Sequence, residues 1–433
     1  DALITDRTAL ENRPAGDGSV CLISEKKRDT ELPGIVFRPR KGPAPLESDR
    51  PFIGGARLAS TARAFLENMR PSRARGGRLP RTLPREDVEE RLDAMLRGQG
   101  EAALNRLRDN ARAIAPALDL EEEFGELDKL IGALLGTRET AAKSKVAKAR
   151  IAGAPFDPDR IKLFETLFSA LREFIPPNRL APERSAQARA TLAFFEAYFS
   201  NFIEGTEFTV EEAEEIVFQG VIPQERPDDA HDVLGTYRIV SDMAEMKKLP
   251  ENFDDFIDLL RRRHAAFMEA RPEKNPGAFK TKSNRAGNTV FVDPELVPGT
   301  LEKGFEFLQG LGEPLQRAIF MMFLVSEVHP FADGNGRAAR IMMNAELIAG
   351  GQERLIIPTA YRVDYLGGLK ALSLTGNPTP VIRMLDHAQR YTHAVDWSNL
   401  KAAQAMLAET GAFTEGENAR LKLPMEASSR SDR

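Results

Sequence analysis

With 433 residues the chain is too long for one ordinary hydrophobic core, and two or three domains are expected. Hydrophobic residues at 42%, charged residues at 29% and a formal charge of −5 describe a globular protein with no overall attraction for nucleic acid or an anionic membrane. Cys21 is the only cysteine, which excludes an intramolecular disulfide framework and a cysteine-rich zinc site.

Residues 1–140 read as a small α+β domain. Short β-prone runs at Val20 to Ile23 and Ile35 to Arg38 lie between stretches rich in Pro and Gly. Ser60 is placed to cap a helix carrying Ala64, Phe65 and Met69. A second helix puts Val88, Leu92, Met95 and Leu96 on one face, with Gly98 as its expected stop. A third carries Leu104, Leu107, Ala111 and Ile114. Between the first two lies a loop with Arg70, Arg73, Arg75, Arg78, Arg81 and Arg85 and no acidic residue. Such a loop can neutralise nucleic-acid phosphates, but it has no aromatic residues to stack on bases, and a solvated linker is the preferred reading.

Residues 141–157, rich in Ala and Lys up to Ala154, are expected to form a linker or an exposed helix joining two domains. From about residue 158 to 400 the pattern is helical, with Leu163, Phe164, Leu167 and Leu171 at helix spacing. A helix over about 186–205 ends in Ser200-Asn201-Phe202-Ile203-Glu204-Gly205, and Thr209 to Glu212 opens the next one with a capping box. Residues 279–292 break the helical pattern: β-prone residues flank Asn284 to Asn288, which predicts a hairpin. Residues 401–433 are expected to be a C-terminal helix and a polar tail. The longest apolar run, Ala318 to Val325, falls far short of the ~20 residues of a membrane span. No leader pattern opens the chain, so the cytoplasm is the expected compartment.

The chemistry concentrates in His329-Pro330-Phe331-Ala332-Asp333-Gly334-Asn335-Gly336-Arg337-Ala338-Ala339-Arg340. An apolar helix enters this stretch and a second leaves it, so the loop ends at a helix N-terminus, where free N–H groups and the helix dipole favour an anion. Gly334 and Gly336 let the backbone curl into a phosphate nest. Arg337 and Arg340, three apart, share a helix face and can grip a polyphosphate together. Asp333 is a hard oxygen ligand suited to Mg²⁺ on phosphates, and His329 is suited to take a proton from a hydroxyl. A base, a metal ligand, a nest and two arginines in one run point to a site for a Mg²⁺-bound nucleotide. The remaining histidines, His231, His264, His387 and His393, show no metal spacing, and no Gly-x4-Gly-Lys-(Ser/Thr) loop is present.

This run fills every position of the signature His-Pro-Phe-x-(Asp/Glu)-Gly-Asn-Gly-Arg-x-x-Arg and resembles the Fic family of protein adenylyltransferases, over about residues 158–395. The resemblance implies a mainly α fold, a Fic-type helical core with a β-hairpin flap. It implies transfer of AMP from ATP to a Tyr, Thr or Ser hydroxyl of an unidentified target protein or of the chain itself. His329 would be the base, Asp333 the Mg²⁺ ligand, and Gly334, Asn335, Gly336 and Arg337 the phosphate binders, with Arg340 on the γ-phosphate. Ser200 to Gly205 is similar to the family's inhibitory motif, in which Glu204 would occupy Arg340. Glu204 could instead orient a water for the reverse removal of AMP. Tyr361-Arg362-x-x-Tyr365 resembles the segment near the adenine, so Tyr365 is either a base-stacking or a core residue. Lys280 stands where relatives commonly have Arg before the flap. The N-terminal region is similar, more faintly, to abortive-infection antitoxin-like proteins, and a nucleic-acid-binding regulator is the non-enzyme reading.

Overall fold

The computed structural model describes residues 2–424 apart from Lys27, Glu139, Asn288, Glu417 and Asn418. The end of the expected polar tail, 425–433, and Asn288 of the expected hairpin lie outside the described residues. The chain divides into two compact units, residues 1–155 and 156–433.

The first unit is α+β. Six strands, β1 (Leu3–Ile4), β2 (Ser19–Ile23), β3 (Thr30–Leu32), β4 (Ile35–Arg40), β5 (Arg50–Pro51) and β6 (Arg57–Leu58), form one sheet in the order β3-β4-β2-β1-β6-β5. β2 runs parallel to β4, with Val20 opposite Phe37, while β1 is antiparallel to β2 and parallel to β6. Helices α1 (Asp6–Glu11), α2 (Thr61–Met69), α3 (Arg85–Gln99), α4 (Glu101–Leu118), α5 (Glu121–Leu134) and α6 (Lys145–Ile151) complete it. The Ser60 hydroxyl accepts from the Arg63 N–H at 3.3 Å and starts α2. Gly98 is not the stop expected for α3. The helix runs on to Gln99 and breaks at Gly100, where φ is +76°, a left-handed value that glycine alone adopts without strain.

Two further expectations need correction. Four of the six loop arginines are ion-paired inside this unit: Arg70 with Glu123, Arg78 with Glu31, Arg81 with Asp6 and Arg85 with Glu89. Arg70, Arg78 and Arg81 meet acids from distant segments and Arg85 meets Glu89 of its own helix, so the loop is pinned although most of it is exposed, and much of the charge a nucleic-acid reading needs is paired. The segment 141–154 contains a helix, as one of the two readings has it, but a packed rather than an exposed one. The Glu89 carboxylate accepts from the backbone N–H groups of Lys143 and Ser144 at 2.7 Å each, and α6 buries Val146 and Ala147.

The second unit is helical: α7 (Pro158–Glu173), α8 (Ala186–Ile203), α9 (Val210–Glu214), α10 (Pro227–Ser241), α11 (Met243–Met246), α12 (Phe253–Phe267), α13 (Val297–Gln309), α14 (Pro314–Val328), α15 (Asn335–Ala349), α16 (Arg362–Thr375), α17 (Thr379–Ala394) and α18 (Leu400–Glu409). α14 forms its axis, because Ala318 to Val325 are apolar on every face and fully buried. Phe164 of α7 packs on Phe320 and Phe323 with ring centroids 6.0 and 6.1 Å apart. α14 and α15 form the helical hairpin whose turn is the motif loop. The expected C-terminal helix is α18, whose Ala403 and Leu407 join Phe195, Tyr198 and Trp397 in a core cluster of this unit. The expected β-hairpin is present as β7 (Arg285–Ala286) and β8 (Thr289–Val290), paired antiparallel. Among the described residues, no helix is long and apolar enough to cross a membrane.

Candidate active site

His329 ends α14 with φ +53°, so the chain leaves the helix through a left-handed residue and turns sharply. Its Nδ1 lies 3.2 Å from the Ser326 carbonyl oxygen. A carbonyl can only accept, so Nδ1 carries the proton and Nε2 presents its lone pair. Phe291, just after β8, stacks on the imidazole at 3.7 Å between centroids. Burial pushes the His329 pKa down to about 4. The Ser326 carbonyl, Glu204 and Asp333 oppose that shift, and the Lys280 ammonium adds to it. At neutral pH the ring is an unprotonated base.

The loop after it is braced from within. The Asn335 side chain accepts from the Phe331 N–H at 2.8 Å and donates to the Phe331 carbonyl at 2.9 Å. What Asn335 can offer an anion is therefore its backbone. The Asp333 carboxylate accepts from the Gly334 N–H at 2.7 Å. Gly334 has φ +73°, and a Cβ there would lie 3.0 Å from Met268 Sδ and 3.2 Å from His264 Nε2, so the position requires glycine. From this turn the first N–H groups of α15 point to the loop mouth, the geometry of an anion nest.

Sequence reasoning missed His264. This fully buried residue of α12 accepts from the Gly277 N–H through Nδ1 and donates through Nε2 to the Asp333 carbonyl, both at 2.9 Å. Its ring lies flat on Phe331 at 3.6 Å. Burial lowers its pKa to about 4. It is a brace for the loop, 69 positions away in sequence, and no local pattern marks it.

The two arginines diverge. Arg337 Nη1 pairs with Asp232 of α10 at 2.7 Å, an acid that also holds Arg271 at 2.8 Å. The expected joint grip of Arg337 and Arg340 on one polyphosphate is thus absent: the Arg337 charge is spent on Asp232. Arg340 faces α8 instead. Its Nε donates to Ser200 Oγ at 2.9 Å, and its Nη2 donates to the Ser200 carbonyl at 2.8 Å and to Glu204 Oε1 at 2.7 Å. Burial works against the Arg340 charge, but Glu204 and Tyr365 outweigh it and hold the guanidinium above its ordinary pKa. Glu204 also seats on the nest: a Cβ at Gly336 would lie 2.2 Å from Glu204 Oε1.

Tyr365 is 1% exposed, its hydroxyl reaches Met322 Sδ at 3.6 Å, and its ring lies under Arg340 at 5.9 Å. It is a core residue supporting Arg340 rather than an open stacking platform. Lys280, five residues before β7, is buried, which brings its pKa down to about 8; Asp293 opposes that shift and Arg160 adds to it.

Around these groups lies a cavity of about 220 Å³ bordered by Glu204, Phe291, His329, Gly336 and Arg340. That is below the ~300–1,000 Å³ of ordinary ligand clefts. A larger cleft of about 890 Å³ near Arg184, Asp242 and Gln352 holds none of the loop's groups, so chemistry rather than size picks the site. For a divalent cation, the described residues offer no cluster of three acidic, His or Cys side chains. Asp333 alone is suited to Mg²⁺ that arrives on phosphates and keeps its waters, not to a protein-only metal cage.

Comparison with known proteins agrees with the motif. Residues 252–347 match the model of the Fic/DOC family. Protein adenylyltransferase fic-1 of Caenorhabditis elegans is 28% identical over 220 residues, 48% of this chain and 42% of the relative. Protein adenylyltransferase Fic of Nematostella vectensis is 28% identical over 240 residues, 53% of this chain and 52% of the relative. The chain thus spans about half the length of the curated relatives it matches. A solved structure of Fic-1 from C. elegans superposes with a TM-score of 0.41 at 20% identity, covering 74% of this chain and 98% of that one. Residues 252–347 of the second unit, which include the His329 to Arg340 loop, are thus similar to a Fic/DOC-family domain.

Proposed function

We propose that the chain is a self-inhibited protein adenylyltransferase that moves AMP from ATP to a protein hydroxyl. The observation that carries this reading is the state of His329: neutral, with Nδ1 committed to Ser326 and Nε2 free, at the mouth of an anion nest. A target hydroxyl gives its proton to Nε2 as its oxygen attacks the α-phosphorus. The bond from that phosphorus to the bridging oxygen breaks, and pyrophosphate leaves. The backbone of Gly334 to Gly336 holds phosphate oxygens, and Arg340 takes the γ-phosphate. Asp333 would hold Mg²⁺, whose charge offsets that of the phosphates. Arg337 serves indirectly, tying α15 to α10 through Asp232. Catalysis of this kind rests on positioning and charge stabilisation.

Self-inhibition is supported by the contact of Glu204 with Arg340, which fills the place a γ-phosphate needs. The test is labelling of a native lysate by the Glu204→Gly variant with ATP radiolabelled at the α-phosphorus, followed by mass spectrometry of the labelled proteins. A protein-bound mass increase of one AMP on a Tyr, Thr or Ser supports the proposal. No labelling by this variant, with wild type equally silent, overturns it. Release of AMP from a modified protein by wild type but not by Glu204→Gly would assign Glu204 to the reverse reaction.

A further inference from the structure

The β7–β8 hairpin is anchored at both roots by contacts that converge on the His329 loop. On the incoming side, the Lys280 N–H donates to the Pro330 carbonyl at 2.8 Å. The Lys280 ammonium donates to Asn284 Oδ1 at 2.7 Å, and the Asn284 amide donates to the Phe331 carbonyl at 3.0 Å. Lys280 and Asn284 thus bracket the two carbonyls that immediately follow the base. On the outgoing side, Arg160 of α7 donates from Nη2 to the Val290 carbonyl at 2.5 Å, and its Nε pairs with Glu327 of α14 at 3.0 Å. Ser373 donates to the same Glu327 carboxylate. Between the two anchors the Phe291 N–H donates to the Asn284 carbonyl at 3.2 Å, and the Phe291 ring lies on His329.

We propose that Lys280 and Arg160 are positioning residues that clamp the incoming and outgoing strands of the hairpin to the loop, holding Phe291 against the base and the strand edge at a fixed height above it. A hairpin of two short strands is marginal by itself in water, so its position needs such anchors. Each cation bridges a backbone carbonyl or its amide relay to a group on the loop's own helical hairpin, which makes the hairpin part of the site's frame. Lys280 is short enough to fit under the hairpin with its head on Asn284. An arginine fork at that position would need different acceptors. The inference rests on the transferase reading only for its effect on rate; the clamp itself is a property of the fold.

The experiment has two arms. Hydrogen exchange of the Phe291 and Lys280 amides is followed in wild type, Lys280→Met and Arg160→Met, and AMP transfer to a target is followed for the same changes in the Glu204→Gly background. Expected are at least about tenfold faster exchange confined to the hairpin and its roots, and a roughly tenfold lower kcat with the KM for ATP unchanged, because the nucleotide contacts lie elsewhere. Arg160→Lys should recover part of the exchange protection. Should Lys280→Met fail to fold, Asn284→Ala cuts the same bracket. Unchanged hairpin exchange in both variants overturns the clamp, as does a rise in the KM for ATP equal to the loss in kcat. Absence of transfer by Glu204→Gly itself sinks the transferase reading instead, and the exchange arm still decides the clamp.

Discussion

Replacing Glu204 by glycine removes one of three hydrogen bonds that fasten Arg340 to α8 and leaves the two from Ser200 in place. Arg340 therefore keeps its position while losing its anionic partner. A charge-assisted hydrogen bond is worth roughly 1.5–3 kcal/mol when made. The Glu204 side chain is 31% exposed, so solvent screening puts this one near the lower end, about 1.5 kcal/mol. An incoming γ-phosphate must break that contact before it can use Arg340, which makes the carboxylate a barrier of about tenfold in rate. The assay is the initial rate of self-labelling from ATP radiolabelled at the α-phosphorus, wild type against Glu204→Gly at equal concentration. A gain of at least about tenfold is expected, and Arg340→Ala in the same chain should abolish it. An unchanged or lower rate for Glu204→Gly refutes the reasoning, as does a gain that survives loss of Arg340.

Four other outcomes follow from the site. His329→Ala should lose roughly 10²–10⁴ in transfer while ATP binding, read by calorimetry in the Glu204→Gly background, stays intact; equal labelling would remove His329 as the base. The acid limb of the transfer rate should fall near pH 4 rather than 6.5, because burial keeps His329 neutral well below the ordinary imidazole range. Asp333→Ala, or chelation of divalent metal, should cripple transfer with partial rescue by excess Mn²⁺, and full transfer in a chelator would show that no such metal takes part. His264 titrates near 4 when folded against 6.5 unfolded, so the unfolded chain binds its proton first as pH falls. Stability from this residue is complete above about pH 6.5 and is lost down to about pH 4, by up to about 3 kcal/mol. His264→Gln should flatten that part of the denaturation-midpoint profile, and an identical profile would show that His264 does not titrate this way.

What was legible in the sequence is what is contiguous. The loop announces itself because its constrained positions follow one another between two apolar helices, and the hairpin because β-prone residues interrupt a helical stretch. The end of α8 is marked by Glu204-Gly205 and the capping box that follows. Pairings across the chain have no such signature. His264 and Asp333, or Arg160 and Glu327, meet only because α12 and α7 pack beside α14 and its loop. Arg337 and Arg340 do sit three apart, but spacing says nothing of the acid each one meets, and Asp232 and Glu204 draw them to different neighbours. The stop at Gly100 rather than Gly98 has the same origin. Both glycines can end a helix, and tertiary packing of α4 selects the one that takes positive φ. Alanine- and lysine-rich composition suggested a linker or an exposed helix at 141–157, whereas the Glu89 carboxylate three helices earlier in the chain holds the start of a packed helix.

The seat of Glu204 on Gly336 would make the proposed block a matter of occupancy as well as of charge. Gly336 carries a hydrogen where any other residue would carry a carbon, and the carboxylate oxygen fills that space. Carboxylate and phosphate then compete for one volume, tethered occupant against diffusing one. An amide of the same size at position 204 would give up the charge and keep the obstruction, while a methyl group placed on position 336 would expel the side chain by direct clash, with residue 204 itself unchanged. Because the tethered occupant cannot be diluted away, release would come from moving the end of α8, and Arg362, which donates to the Ile203 carbonyl at 3.2 Å, is one contact that such a movement has to break, beside those of Arg340 with Ser200.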